Sequence, residues 1–171
     1  KVGIVIEKGR IAVDECLRTN LSHVYAVGDC TGKLMLAHFA AFQGKRAAEN
    51  CGELSDPAPA KSKCVPNCIF TDPEIASVGM SESLARNQGY SIKVHRFDFL
   101  GSGMARIIDE TEGFIKVISD IKSERILGAV IIGPKATELI SLFCLAMSNE
   151  LSVAQVKNTM FSHPTLSESI S

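Results

Sequence analysis

Phe114-Ile115-Lys116-Val117-Ile118-Ser119 and Ile126-Leu127-Gly128-Ala129-Val130-Ile131-Ile132 are two apolar, β-rich runs on either side of a polar stretch, Asp120 to Arg125. Two such runs around a short polar turn read as an antiparallel hairpin, because a parallel pair needs a crossover of about a dozen residues or more. Working outward towards the N-terminus, Ser91 to Phe99, Ile75 to Val78 and Cys68 to Thr71 read as further strands, with a helix from about Ser81 to Asn87 among them. On the other side, Thr137 to Ser148 is apolar on nearly every side, which predicts a buried helix, and Ser152-x-x-Gln155 opens a second, shorter helix with a capping-box signature. The strands come in hairpins and no helix follows each strand as a crossover. The expected class is therefore α+β with an antiparallel sheet.

The N-terminal part has a different grammar. Gly3 to Ile6 and Arg10 to Val13 flank the turn signal Lys8-Gly9 and read as a small hairpin. Val24-Tyr25-Ala26-Val27 is a fully apolar run stopped by Gly28-Asp29, which predicts a buried strand whose end presents an acid. Leu36 to Asn50 is alanine-rich, with Leu36, Phe39, Ala40 and Ala47 on compatible helical faces and Gly52 as a C-terminal stop. Leu54 to Lys63, short and polar with two prolines, reads as a linker. The expected organisation is a first part over residues 1–53, a linker over 54–63 and a second domain over 64–171. The sequence opens at Lys1 in strand-like residues, without a methionine, as though it begins inside a larger fold.

Composition narrows the class. Of 171 residues 46% are hydrophobic and 22% charged, the balance of a globular domain or two small ones. A net charge of -1 with scattered Lys and Arg gives no source for the attraction that nucleic acid requires. No apolar run approaches the ~20 residues that span a bilayer, and the N-terminus lacks a secretory pattern. The expected location is the cytoplasm, or the mitochondrial matrix in a eukaryote. The six cysteines have core-like neighbours and are expected to be mostly buried thiols. Cys64-x3-Cys68 finds no further ligands at a zinc spacing, so no metal site is expected. Gly101-Ser102-Gly103 has Arg106 where a dinucleotide fingerprint needs its third glycine, and reads as a loop. Cys30 reads as a small apolar filler.

Two constellations carry chemistry. His163-Pro164-Thr165-Leu166-Ser167-Glu168 places an imidazole and a carboxylate five residues apart. A carboxylate that accepts the Nδ1 proton fixes the tautomer and raises the basicity of Nε2, which suits a general acid/base serving a thiol. Thr165-x-x-Glu168 is equally a capping box, so a purely structural reading stands beside the catalytic one. The second constellation is Gly28-Asp29, followed six residues later by Met35-Leu36-Ala37-His38. Nucleotide ligands of α/β layers lie at the carboxyl ends of strands, where such an Asp accepts hydrogen bonds from sugar or ribitol hydroxyls; the same dipeptide is also an ordinary turn.

Tyr25-Ala26-Val27-Gly28-Asp29, Met35-Leu36-Ala37-His38, Thr71-Asp72-Pro73-Glu74-Ile75-Ala76-Ser77-Val78-Gly79 and His163 to Glu168 occur in the order and spacing of the dihydrolipoamide dehydrogenases. The chain resembles the C-terminal part of that family, within the class I pyridine nucleotide-disulfide oxidoreductases, over essentially its whole length. The resemblance implies an antiparallel-sheet dimerisation domain preceded by a partial FAD-binding segment. It implies that Asp29 hydrogen-bonds the FAD ribitol and that Met35, Leu36, Ala37 and His38 line the flavin. It makes His163 the base for the substrate dithiol and Glu168 its orienting partner, acting on the other subunit's flavin site in a homodimer, with a cis bond before Pro164. The implied activity is oxidation of protein-bound dihydrolipoamide, presented by a lipoyl domain of a 2-oxoacid dehydrogenase complex, with FAD and NAD as cofactors. The family's Cys-x4-Cys disulfide and glycine fingerprint do not occur in these residues. A non-catalytic dimerisation module is therefore the alternative, as is a glutathione or mercuric reductase of the same superfamily.

Overall fold

The computed structural model describes residues 2–52, 57–62 and 64–170. It divides into two compact units, Lys1–Ser62 and Lys63–Ser171. Of the expected linker, residues 54–56 and 63 lie outside the described residues, and 57–62 form no helix or strand.

In the first unit β1 (Ile6–Glu7) and β2 (Arg10–Ile11) pair antiparallel. Lys8 and Gly9 both take left-handed backbone angles, φ 49 and 78, as a two-residue turn needs if it is to follow the twist of its strands. α1 (Ala37–Gly52) buries Phe39, Gln43, Ala47 and Asn50, one stripe that is half polar. The Asn50 amide donates to the carbonyls of Cys16 and Ala58, at 3.2 and 2.9 Å, and accepts the Ala58 N–H at 2.9 Å. The expected strand at Val24 to Val27 does not form. Its backbone meets residues 17–19 through Thr19 N–H to Val24 O (2.9 Å) and Ala26 N–H to Leu17 O (3.1 Å), with one bridge between Arg18 and Tyr25. An apolar run supplies the propensity, but a ladder also needs a longer partner alongside.

The second unit is built on β3 (Asn67–Ile69), β4 (Ile75–Gly79), β5 (Ile92–Asp98), β6 (Phe114–Asp120) and β7 (Ile126–Ile132), ordered β3-β4-β7-β6-β5 and antiparallel throughout. Alternation puts Ala76, Ile131 and Ile115 in one cross-strand row and Val78, Ala129 and Val117 in the next. All six are buried in one core. Onto this face α4 (Ala136–Ser148) lays Leu139, Ile140, Phe143 and Ala146, and each large apolar side chain so buried stabilises the unit by about 1.5–3 kcal/mol. α2 (Glu82–Asn87), capped by Ser81, brings Ala85 against Ile92 and Ile118 in a second cluster. α5 (Val153–Lys157) starts at Ser152 with both halves of the expected capping box made. Among the described residues no helix is long and apolar enough to cross a membrane.

Four further expectations need correction. α4 is buried on one side only, and Leu145 is 63% exposed. The Gly101–Gly103 stretch is not a plain loop: a 3-10 turn (Phe99–Gly101) leads into α3 (Gly103–Ile107), whose Ser102 cap accepts the Ala105 N–H, and five residues are too few to show a period. None of the six cysteines is fully buried, and among the described residues none forms a disulfide. Cys64, Cys68 and Cys144 sit at the margin of the core, on or near the edge strand β3 and on α4. Burial, with Cys64 and Cys68 nearby, still pushes the Cys144 thiol up to about 11. Cys30 is exposed, its thiol donating to the Val27 carbonyl at 3.2 Å, so it fills no core.

The start of α4 is capped from a distance. Lys135, at its N-cap, has φ 53 and contributes no side-chain bond; instead the Glu74 carboxylate accepts the Thr137 N–H at 2.9 Å and its hydroxyl at 2.7 Å. Those two bonds hold the Glu74 carboxyl below the usual carboxylate range.

Candidate functional site

The His163–Pro164 peptide is cis, and a 3-10 turn (Leu166–Ile170) follows it. Ile170 is buried in the core of the second unit and Leu166 packs against that core, which ties down the far end of the segment. Glu168 Oε1 lies 2.9 Å from His163 Nδ1, while Oε2 accepts the Thr165 N–H at 2.9 Å. The Thr165 hydroxyl donates to the Ser162 carbonyl at 2.7 Å. One carboxylate thus does both things that the spacing allowed: it holds a backbone N–H and it faces the imidazole.

These contacts have an electrostatic consequence. The Thr165 N–H first, and His163 second, hold the Glu168 carboxyl below its ordinary range. An ionised carboxylate only accepts hydrogen bonds, so a neutral His163 must carry its proton on Nδ1 and leave the Nε2 lone pair free. The His163 side chain is 79% exposed, so Nε2 is accessible. His95 differs in environment. It bonds Ser119 Oγ through Nε2 at 3.1 Å, and burial ahead of nearby Lys93 and Lys157 pushes its pKa down.

Asp29 and Met35 to His38 lie in the first unit, His163 and Glu168 in the second. Asp29 sits in a 3-10 turn (Gly28–Thr31) and its side chain is exposed. Its carboxylate accepts no hydrogen bond among the described residues, whereas its backbone carbonyl takes the Gly32 N–H at 2.9 Å. Gly28 adopts φ +72, and a Cβ there would stand 3.1 Å from the Ala40 Cβ, so the turn needs glycine for both backbone and packing reasons. Thr31 Oγ1 donates to the Gly28 carbonyl at 2.8 Å. The Gly28 N–H is taken by Gln43 Oε1 at 2.8 Å, a buried bond from the middle of α1. Met35 is 65% exposed, Leu36 is half-buried, and Ala37 and His38 open α1 on an exposed face.

Gln43 had not stood out in the sequence, whereas the Thr165 N–H bond is the one the capping-box reading expected. The legible sign of Gln43 was a polar residue on the stripe Phe39, Gln43, Ala47, Asn50, where a helix docking by apolar contact alone would carry none.

Residues 65–171 match the family model for the pyridine nucleotide-disulphide oxidoreductase dimerisation domain, and residues 1–44 match that for pyridine nucleotide-disulphide oxidoreductases. Among curated proteins, dihydrolipoyl dehydrogenase of Zymomonas mobilis is 41% identical over 170 residues, 99% of this chain and 36% of the relative. Dihydrolipoyl dehydrogenase of Chlamydia muridarum is 44% identical over 169 residues, 98% of this chain and 36% of the relative. Among solved structures, an HOCl-induced flavoprotein disulfide reductase of Escherichia coli superposes with a TM-score of 0.92 at 29% identity, covering 98% of this chain and 39% of that one. LpdA of Mycobacterium tuberculosis gives 0.88 at 32% identity, covering 99% and 37%. The chain thus spans little more than a third of the length of the proteins it matches. With its antiparallel dimerisation sheet and these relatives, the chain belongs to the pyridine nucleotide-disulphide oxidoreductase family.

Proposed function

We propose that the chain is the C-terminal portion of an FAD-dependent dihydrolipoamide dehydrogenase, a homodimer that oxidises lipoyl-domain-bound dihydrolipoamide and reduces NAD+. Residues 1–53 belong in this reading to the nucleotide-binding layers and 64–171 to the dimerisation domain. The observation that carries it is the His163–Glu168 pair: an imidazole held at Nδ1 by a carboxylate at 2.9 Å, with its other nitrogen turned to solvent.

The chemistry follows from the pair. A dithiol reacts through its thiolate, so a base must remove a proton at a pH where most of the thiol is still protonated. His163 Nε2 takes that proton, and the adjoining Glu168 charge stabilises the imidazolium that forms. FAD, when bound, supplies the two-electron acceptor. The residues of the first unit fit such a group: Asp29 offers an exposed carboxylate with no hydrogen bond of its own among the described residues, suited to ribitol hydroxyls. Met35 and Leu36, ahead of α1, supply exposed and half-buried apolar surface, and the first turn of α1 carries N–H groups that a helix leaves outside its own ladder.

Support for the homodimer comes from α4. Beyond Glu138 in its first turn, its exposed residues Ser141, Leu145 and Ser148 carry no charge, and interface cores are depleted of charge. The likeness to an Escherichia coli disulfide reductase supports a broader second reading, a reductase of the same superfamily with another disulfide substrate. The test is the full-length flavoprotein assayed with NAD+ and dihydrolipoamide, and separately with glutathione disulfide and a reduced nicotinamide. Dihydrolipoamide turnover that falls about 10²–10⁴-fold in His163→Gln is the expected result. Turnover unchanged in His163→Gln would remove the pair from the chemistry.

A further inference from the structure

We propose that Gln43 is a positioning residue for the flavin, acting through the Gly28–Asp29 turn; this rests on reading Asp29 as a ribitol ligand. Asp29 is exposed and its carboxylate makes no hydrogen bond among the described residues, so nothing near the carboxylate fixes its direction. The backbone of the turn must do so, and α1 grips that backbone at adjoining points. Ala40 lies directly beneath Gly28, where an added Cβ would meet its Cβ at 3.1 Å. One helical turn later Gln43 Oε1 accepts the Gly28 N–H at 2.8 Å.

That bond is shielded, because Gln43 is 1% exposed and water cannot substitute for it. The amide orientation follows from the partner: Gly28 N–H is a donor, so the oxygen faces it. Gln43 Nε2 is then buried with no partner among the described residues, a cost that an apolar residue would avoid. The side chain makes structural sense only through the acceptor it presents to Gly28. Removing that acceptor leaves the Gly28 N–H buried and unpaired, and lets the residue that precedes Asp29 rotate away from α1.

The experiment uses the full-length flavoprotein and reads the FAD dissociation constant, the visible circular dichroism of bound flavin and the melting temperature of the apoprotein. The variants are Asp29→Asn, Gln43→Asn and Gln43→Glu. Gln43→Asn, one methylene too short to reach Gly28, is expected to weaken FAD roughly tenfold and alter the flavin dichroism. Gln43→Glu, which restores an acceptor at full length, is expected to recover both. If Gln43→Asn does not hold a folded apoprotein, Gln43→Met, which keeps the volume and lacks the acceptor, is read in its place. Weaker FAD binding in Asp29→Asn with unchanged binding in the Gln43 variants overturns the role of Gln43 alone. Equal loss in Gln43→Asn and Gln43→Glu overturns it as well. Unchanged FAD binding in Asp29→Asn removes the ribitol reading, and this inference with it.

Discussion

The two groups of candidate residues are held in opposite ways. Glu168 is fixed inside its own segment, by Thr165 three residues away and His163 five residues away. The Gly28–Asp29 turn depends on Gln43, fifteen residues further along and on another element. Their surroundings differ in the same sense. The second unit closes an apolar core between its five-stranded sheet and α4, whereas the stripe that α1 buries in the first, Phe39, Gln43, Ala47 and Asn50, is half polar. A locally closed pair needs the fold only to carry it, while a turn gripped from afar shares the fate of the helix that grips it.

The largest expected effect probes what carries the pair. Phe143 is 1% exposed between α4 and the sheet, and Phe143→Ala should destabilise the second unit by about 3–5 kcal/mol in denaturant unfolding. The His163–Glu168 bond should nonetheless persist in the molecules that remain folded, seen as an unchanged His163 ring signal. A changed signal would mean that the pair is not locally closed.

A smaller effect is expected at the α4 surface. Leu145→Lys places a charge between the uncharged Ser141 and Ser148 and should weaken self-association by on the order of 2 kcal/mol, roughly thirtyfold in the dimer dissociation constant by sedimentation, with the fold retained. An unchanged constant would move the dimer contact to another face.

The smallest effect concerns Glu168. Its pKa is lowered in the fold, so the stability it contributes is present above its unfolded value near 4.5 and is lost as pH falls through the lower folded value. Because the Thr165 N–H is the larger cause, His163→Gln should leave the Glu168 carboxyl titrating below 4.5, measured by carbon NMR. A return to the ordinary value in that variant would make the imidazole its principal partner.

The same contrast explains what could be read in advance. The β6–β7 hairpin, the Ser152–Gln155 capping box and the His163–Glu168 pair are written within short windows, and the structure forms all three. The Gly28–Gln43 clamp spans fifteen residues and the Glu74–Thr137 cap sixty-three, and neither distance has a pattern in one dimension. Val24 to Val27 has a strand's composition, yet its ladder is a property of what lies beside it. α4 read as buried because it is apolar on nearly every side, and its exposed Ser141, Leu145 and Ser148 are better understood as surface for another chain. The cysteines looked like core residues by their neighbours, but Cys68 sits on the edge strand β3 and Cys30 in an exposed turn.

The most direct measurement is the nitrogen NMR spectrum of the His163 ring in the chain at a pH where the imidazole is neutral, compared with Glu168→Gln. A proton on Nδ1 with an unprotonated Nε2, and a loss of that preference in Glu168→Gln, is the predicted result. A neutral ring protonated at Nε2, or a tautomer balance indifferent to Glu168, would contradict the assignment of His163 as a base oriented by Glu168.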